Sequence, residues 1–368
     1  MKPKSFIILI TILFAFCSFA HADNSVVILD GFNTQGISLL PNHTVLFSGY
    51  ISKDGSDSIA ALRVHDLDGT LIWEHQEQRE EGMFSSYRDA EYVDAKTMLA
   101  ILTVPYAGNE TPTFIIQRLT DGQITASTTA YEGLSHLYLV DNGFWVTSTE
   151  IANSRSILRK FDMDLNLLYE LVLDGHQFLQ ILTGEQFHIA YGYSQKQEDG
   201  ALHPEHSVLF AFDNSGNILW NADSVQHEVY TDAVWLETGK FALLGHNPYN
   251  NDPTQFFSEY FVLEYESNNQ VSRTNFDALT SVNGVYRNAL SICQFNDGYL
   301  IPLSPVAGEE IPFLYVNPDS KEDSIAFTIP TSLPMTLTNG QVFAMNNAHY
   351  LIGNLWLHTA IIELPEMQ

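Results

Sequence analysis

One short unit, a polar turn running into an apolar strand, returns along the whole of this chain. It reads Asn42-His43-Thr44-Val45-Leu46-Phe47, then Asp94-Ala95-Lys96-Thr97-Met98-Leu99, Asp141-Asn142-Gly143-Phe144-Trp145-Val146 and Thr183-Gly184-Glu185-Gln186-Phe187-His188-Ile189. Three more copies are Thr238-Gly239-Lys240-Phe241-Ala242-Leu243, Asn296-Asp297-Gly298-Tyr299-Leu300-Ile301 and Asn347-Ala348-His349-Tyr350-Leu351-Ile352. The reference column Val45, Met98, Phe144, Phe187, Phe241, Tyr299 and Tyr350 is spaced by 53, 46, 43, 54, 58 and 51 residues. A repeat of about fifty residues, with no sustained helical periodicity, is one small antiparallel sheet with its connections.

A second unit follows the first by about 20 to 30 residues in most copies. Its full form is Asp66-Leu67-Asp68-Gly69-Thr70-Leu71-Ile72-Trp73, nearly repeated in Asp213-Asn214-Ser215-Gly216-Asn217-Ile218-Leu219-Trp220. Weaker copies run from Asp121, Asp162 and Tyr265. Here an Asp accepts hydrogen bonds from the turn's own N–H groups, and a Gly or Asn takes the positive-φ position. The Trp or Tyr that closes the strand is placed to fill the gap between neighbouring sheets. These aspartates therefore make turns. Two hairpins per copy give four strands, and seven copies that cannot bury their faces alone close on one another. The expected fold is all-β: a seven-bladed β-propeller of four-stranded antiparallel blades.

The D-x-x-G-x-x-x-W pattern at Asp66 to Trp73 and Asp213 to Trp220 resembles the blades of the quinoprotein-like (PQQ-like repeat) β-propellers. That resemblance implies the fold alone. The paired adjacent cysteines of the pyrroloquinoline-quinone dehydrogenases are absent here, and the chain is far shorter than theirs.

The ends follow from the count. The seventh copy has room for three strands, and Ser25-Val26-Val27-Ile28-Leu29 is a lone strand before the first blade. Placed as the outermost strand of blade seven, it closes the ring and removes open sheet edges. Ahead of it, Lys2 and Lys4, the apolar run from Ser5 to Cys17 and the Ala20-His21-Ala22 pattern read as a signal peptide over 1–22, cleaved after Ala22. The expectation is a single domain over 23–368 in the periplasm or secreted, with no integral membrane segment after cleavage.

The whole chain carries a formal charge of −28, and without the leader 14 basic stand against 44 acidic residues. Such a charge argues against nucleic acid and anionic membrane as partners and suits cations. No cofactor is expected, with calcium open as an option for the acidic loops, and the protein is expected to be monomeric. Without the leader, Cys293 is alone and sits in the alternating stretch Leu290 to Phe295, as a core thiol would.

In a propeller the catalogued turns share one face, and the long connections share the other. Ser194 to Ser207 (with His203 and His206), His246 to Ser258 and Ser304 to Pro312 read as long polar loops on that second face. The innermost strands open there with Tyr87-Arg88-Asp89-Ala90, Tyr230-Thr231-Asp232-Ala233 and Tyr286-Arg287-Asn288-Ala289, and with His136 and His176 in blades three and four. Arg88, Asp89, His136, His176, Asp232, Arg287 and Asn288 are thus the candidate ligand residues at the channel mouth. The same groups could instead satisfy one another inside the channel wall. No nucleophile elbow, zinc helix, phosphate loop or EF-type loop is present. Two readings follow. The first is an exported non-catalytic binding or scaffold protein that uses the long-loop face and channel mouth to bind a protein partner or a polar ligand such as a saccharide. The other is a carbohydrate-active hydrolase or lyase using Asp89 and Asp232 as paired carboxylates.

Overall fold

A computed structural model of the protein describes residues 26–364, apart from 78–83, 105–112, 248–258, 305–310, 330–337 and stretches of four residues or fewer. Among the described residues its strands form seven antiparallel sheets arranged as blades around a ring. A separate two-stranded ribbon pairs Ser281–Val282 with Val285–Tyr286, so Tyr286 does not open the innermost strand of blade six as expected. Blade one runs outward from the axis as Phe32–Leu39, Thr44–Lys53, Asp57–Asp66 and Leu71–Gln76. Blades three to six repeat that order, starting from Leu134, His176, Val229 and Cys293. In blade two the strand Thr113–Thr120 pairs in succession with Gln123–Ser127 and Tyr131–Glu132, which makes five strands. In blade seven, Thr338–Met345, Ala348–Leu355 and His358–Glu363 are completed by Val26–Leu29, with Val26 opposite Ile362 and Leu29 opposite Thr359. The ring closes as the lone N-terminal strand requires.

The core is divided into seven apolar layers, one in each gap between blades. Leu46, Leu62 and Val64 of blade one pack on Tyr87, Met98 and Leu119 of blade two. The last layer joins Ile352 and Ile361 of blade seven to Phe32, Val45 and Phe47 of blade one. Strand alternation sends successive side chains into the two flanking gaps, so each middle strand feeds two layers. Cys293 is a buried member of the layer between blades six and seven, and burial pushes its thiol up to about 11.

The turns explain the repeated aspartates. An Asp213 carboxylate oxygen accepts from the N–H groups of Ser215 at 2.8 Å and Asn217 at 2.9 Å, with Gly216 at φ +87°. Asp66 holds Thr70 N–H at 2.7 Å beside Gly69, also at φ +87°. The Asp162 turn departs from the expected residue choice, because Leu165 takes the positive φ of +68°. Asp162 still gathers the N–H groups of Asp164 and Asn166 at 2.9 and 2.8 Å, so the carboxylate holds the turn that the leucine disfavours.

The turn glycines are also contact points between blades. A Cβ on Gly216 would stand 2.5 Å from the Tyr169 ring of blade three, and one on Gly122 would stand 3.1 Å from the Trp73 indole of blade one. The aromatic that ends one blade therefore lies over the turn of the next, as the second unit implied. One expectation changes: Ser194 to Ser207 is not a loop. The strands His188–Glu198 and Ala201–Phe212 pair from His188↔Phe212 to Glu198↔Ala201, with an irregularity after Ser194 that admits Pro204 opposite Gln195. Polar composition had read as loop what is a projecting hairpin. Residues 248–258 and 305–310, most of the other two long loops, lie outside the described residues.

Gly216→Ala and Gly31→Ala separate the two roles of glycine. Gly31, at φ +68°, has open space at its Cβ position, so alanine there adds only left-handed strain of about 1–2 kcal/mol. Gly216→Ala adds the collision with Tyr169 and should lose roughly 1–3 kcal/mol more. Equal losses in denaturant titrations would show that the aromatic contact carries no weight.

Candidate functional site

The innermost strands share a local irregularity near their starts. Register shifts occur between Thr34 and Gly36, Tyr87 and Asp89, Leu134 and His136, and Tyr230 and Asp232. Each bulge lets one residue drop out of the ladder and re-aims the residue after it. At two of them the re-aimed residue is an aspartate with the same job. Asp89 accepts from its own Ala90 N–H at 3.0 Å through one oxygen and from Leu137 N–H of blade three at 2.8 Å through the other. Asp232 accepts from Ala233 N–H at 2.9 Å and from Ile292 N–H leading into blade six at 2.8 Å. Each carboxylate therefore stitches its blade to the next.

Other polar groups carry the seam onward. Val342 N–H of blade seven donates to Ser291 Oγ at 3.2 Å. The Thr359 hydroxyl of blade seven meets the hydroxyl of Thr34 in blade one and donates to the Phe32 carbonyl at 3.2 Å.

The seven candidate residues are distributed as follows. Asp89 and His136 come together, with Nδ1 3.5 Å from a carboxylate oxygen. Arg88 is exposed and reaches the Gln35 side-chain oxygen of blade one at 3.4 Å. Asn288 is exposed; its side chain accepts from the Tyr260 hydroxyl at 3.2 Å, and its N–H donates to Ser304 Oγ at 2.9 Å. His176 opens the innermost strand of blade four, with its backbone opposite Gln195. Arg287 lies outside the described residues. The geometry groups Arg88, Asp89 and His136 near the seam between blades one, two and three, while Asp232 is held on blade five.

One residue of this region went unread in the sequence. Glu91, two positions after Asp89 and so on the same side of the strand, accepts from the Ser38 hydroxyl of blade one at 2.5 Å. Burial, and then the neighbouring Asp89 charge, pushes its carboxyl up to about 8. The Asp-x-Glu spacing is the signal that could have found it.

At the opposite mouth of the channel, on the face of the short turns, lies a cavity of about 630 Å³. The inner-strand ends and turns of blades two to five enclose it. Val93, Leu139, Met163, Phe187 and Trp235 supply apolar lining, and Asp141, Glu185 and Glu237 supply carboxylates. Its walls are fixed by internal bonds. The Trp235 indole N–H donates to the Thr183 carbonyl at 2.6 Å, and the Trp235 ring stands edge-on to Phe187 with centroids 5.5 Å apart. Buried His188 accepts from Gly184 N–H at 3.3 Å through Nδ1, which leaves Nε2–H to donate to the Asn214 side chain at 2.8 Å. Burial lowers the His188 pKa, in keeping with a neutral ring locked by its two partners. Asp141, Glu185, Phe187, His188 and Asn214 belong to the repeated turn and strand units, so nothing in the sequence marked the cavity they form with Val93, Leu139 and Trp235.

The described residues hold no group of three or more His, Cys, Asp and Glu side chains arranged for a metal, and no helix long and apolar enough to cross a membrane.

The channel acids give a pH signature. A carboxyl whose folded pKa lies above its unfolded value binds its proton more tightly when folded. Its stabilisation is full below the unfolded value and is lost as pH rises through the folded one. For Glu91 that window runs from 4.5 to about 8, and for Asp232 from 3.8 to about 6. The buried histidines, shifted below 6.5, push the other way only below that pH. Between pH 6.5 and 8 the melting temperature should therefore fall by a few degrees through Glu91, and Glu91→Gln should flatten the fall. The same slope in wild type and variant would rule this assignment out.

Comparison with known proteins shows the fold. No family model matches the chain, and no curated protein matches its sequence. Among solved structures it is similar to the polysaccharide lyase Uly1, at 7% identity over 91% of this chain and 90% of that one, with a TM-score of 0.55. It is similar to the β-propeller domain of the Trilobed protease from Pyrococcus furiosus, at 8% identity over 92% and 98%, with a TM-score of 0.52. Sqt1 of Saccharomyces cerevisiae follows at 9% identity over 92% and 98%, with a TM-score of 0.51. At such identities the likeness is one of architecture: the chain is a seven-bladed β-propeller.

Proposed function

We propose that the protein is a non-catalytic binding propeller, exported to the periplasm or cell exterior, that holds its ligand at a mouth of the central channel. One observation carries the reading. The two acids best placed for glycoside chemistry, Asp89 and Asp232, each have both oxygens engaged by backbone N–H groups. A carboxylate that protonates or attacks a sugar must turn an oxygen toward it, and turning either of these away would open a seam between blades. The walled cavity on the turn face, by contrast, is large enough for a small ligand or a side chain and its neighbours. The opposite mouth, around Arg88, His136 and Asn288, is the second surface in this reading. Export is supported by Lys2, Lys4, the apolar run after them and the Ala20-His21-Ala22 pattern. The two Asp-to-Trp blade motifs support kinship with the quinoprotein-like propellers in fold, without their cofactor chemistry.

A catalytic reading keeps one supporting observation. Glu91, with a pKa raised to about 8 beside Asp89, would be a protonated acid at neutral pH. Depolymerisation of neutral and uronic-acid polysaccharides, followed by new reducing ends and by absorbance of unsaturated products, decides between the two. No turnover is expected from the wild type. Turnover abolished in Glu91→Gln or Asp232→Asn, with the fold intact by circular dichroism, would replace the binding reading with the enzymatic one.

A further inference from the structure

We infer that the turn-face cavity takes a cationic peptide segment bearing one apolar anchor residue, from the exposed carboxylates of Asp141 and Glu185 at the rim of its apolar floor. This rests on the binding reading above and names the ligand of that site.

Charge is the first part of the case. Asp141, Glu185 and Glu237 are exposed lining residues, and among the described residues no Lys or Arg lines the cavity. Among the described residues no cation pairs with Asp141 or Glu185. The cations nearby are already committed. Lys240 lies 2.6 Å from Glu237, and Arg118 bonds the Met163 carbonyl at 2.7 Å and Asp164 at 2.9 Å. Lys160 bonds the Asn214 carbonyl. His188 is locked neutral by its two hydrogen bonds and supplies no positive charge.

The repeat deepens this field. Each turn that needs an Asp sets it on this same face, and Asp94, Asp162 and Asp213 lie one residue from the lining groups Val93, Met163 and Asn214. Their turn N–H groups and side-chain partners hold these carboxyls below the usual range, so they stay ionised. A requirement of hairpin geometry thus builds a negative potential around one end of the channel, which raises the local concentration of cations.

The floor sets the second requirement. Leu139, Met163, Phe187 and Trp235 offer apolar surface of the size that accepts an aliphatic or aromatic side chain. The polar end of the Trp235 indole is spent on Thr183, and its ring is packed edge-on against Phe187. That arrangement leaves a packed apolar surface against which an anchor side chain can be buried. Apolar anchor and cationic flanks are met together in a basic peptide segment.

The test uses the full mature chain and four probes in calorimetry and fluorescence anisotropy. They are a nine-residue lysine peptide with one central Phe, the same peptide with Phe replaced by Ser, a glutamate counterpart, and chitohexaose. The Phe-containing lysine peptide should bind alone among them and shift the methyl signal of Met163. Asp141→Asn/Glu185→Gln, two exposed changes outside the packed layers, should weaken it about tenfold, and so should raising the salt from 50 to 300 mM. Equal binding of the Ser peptide would reduce the site to a plain acidic surface and overturn the anchor. Binding of chitohexaose or the glutamate peptide at Met163 would overturn the cationic ligand while keeping the binding site. Silence of the Met163 signal with every probe would overturn the use of this cavity itself.

Discussion

Every blade of this protein is a sheet with two apolar faces, and it is stable only while a neighbour covers each. The ring is the arrangement that meets this demand seven times without leaving an end. The seven interblade layers are its outcome, and the strand Val26–Leu29 beside His358–Glu363 supplies the last cover from the other end of the chain. Apolar layers are non-directional and would tolerate sliding of blade on blade. Directional bonds at the inner seam prevent that: Asp89 to Leu137, Asp232 to Ile292, Ser291 to Val342.

The acids of the chain fall into two populations by environment. The turn aspartates Asp94, Asp162 and Asp213 are wrapped by hydrogen bonds on an open surface, which favours their charge. Glu91 and Asp232, within the channel wall, lose hydration, and their carboxyls rise to about 8 and about 6. One population makes a negative face around a cavity; the other holds the frame. Fold and candidate site are therefore consequences of the same repeated turn, since the hairpins that set strand direction also collect charge on a single side.

Much of the fold was legible because its signals are local. An Asp and a Gly three residues apart define a hairpin within five residues at Asp66 and Asp213, and the seven-fold return of the turn-and-strand unit fixes the architecture. The closing strand was legible by elimination, since blade seven lacked one. The seam was not, because Asp89 and Asp232 meet partners 48 and 60 residues away and look, in sequence, like acids at a channel mouth. Glu91 was missed because its neighbour Asp89 drew the chemical reading. The cavity was hidden for a different reason: Phe187 is a column residue, Asp141 and Glu185 are turn residues, and Trp235 is a strand residue. Only their convergence from different blades gives them a second use. The hairpin from Ser194 to Ser207 was obscured by Pro204 and a polar composition, which an irregularity in the strand pair accommodates.

The central claim is that the inner-strand aspartates are seams rather than reagents. Amide hydrogen exchange at Leu137 and Ile292 tests it most directly, because those N–H groups are the far ends of the two stitches. Both amides should be among the slowest to exchange in the protein. Asp89→Asn should accelerate Leu137 alone, and Asp232→Asn should accelerate Ile292 alone, because an amide group cannot accept two N–H donors through both of its heavy atoms. Fast exchange at these positions in the wild type, or exchange unchanged in the variants, would contradict the account.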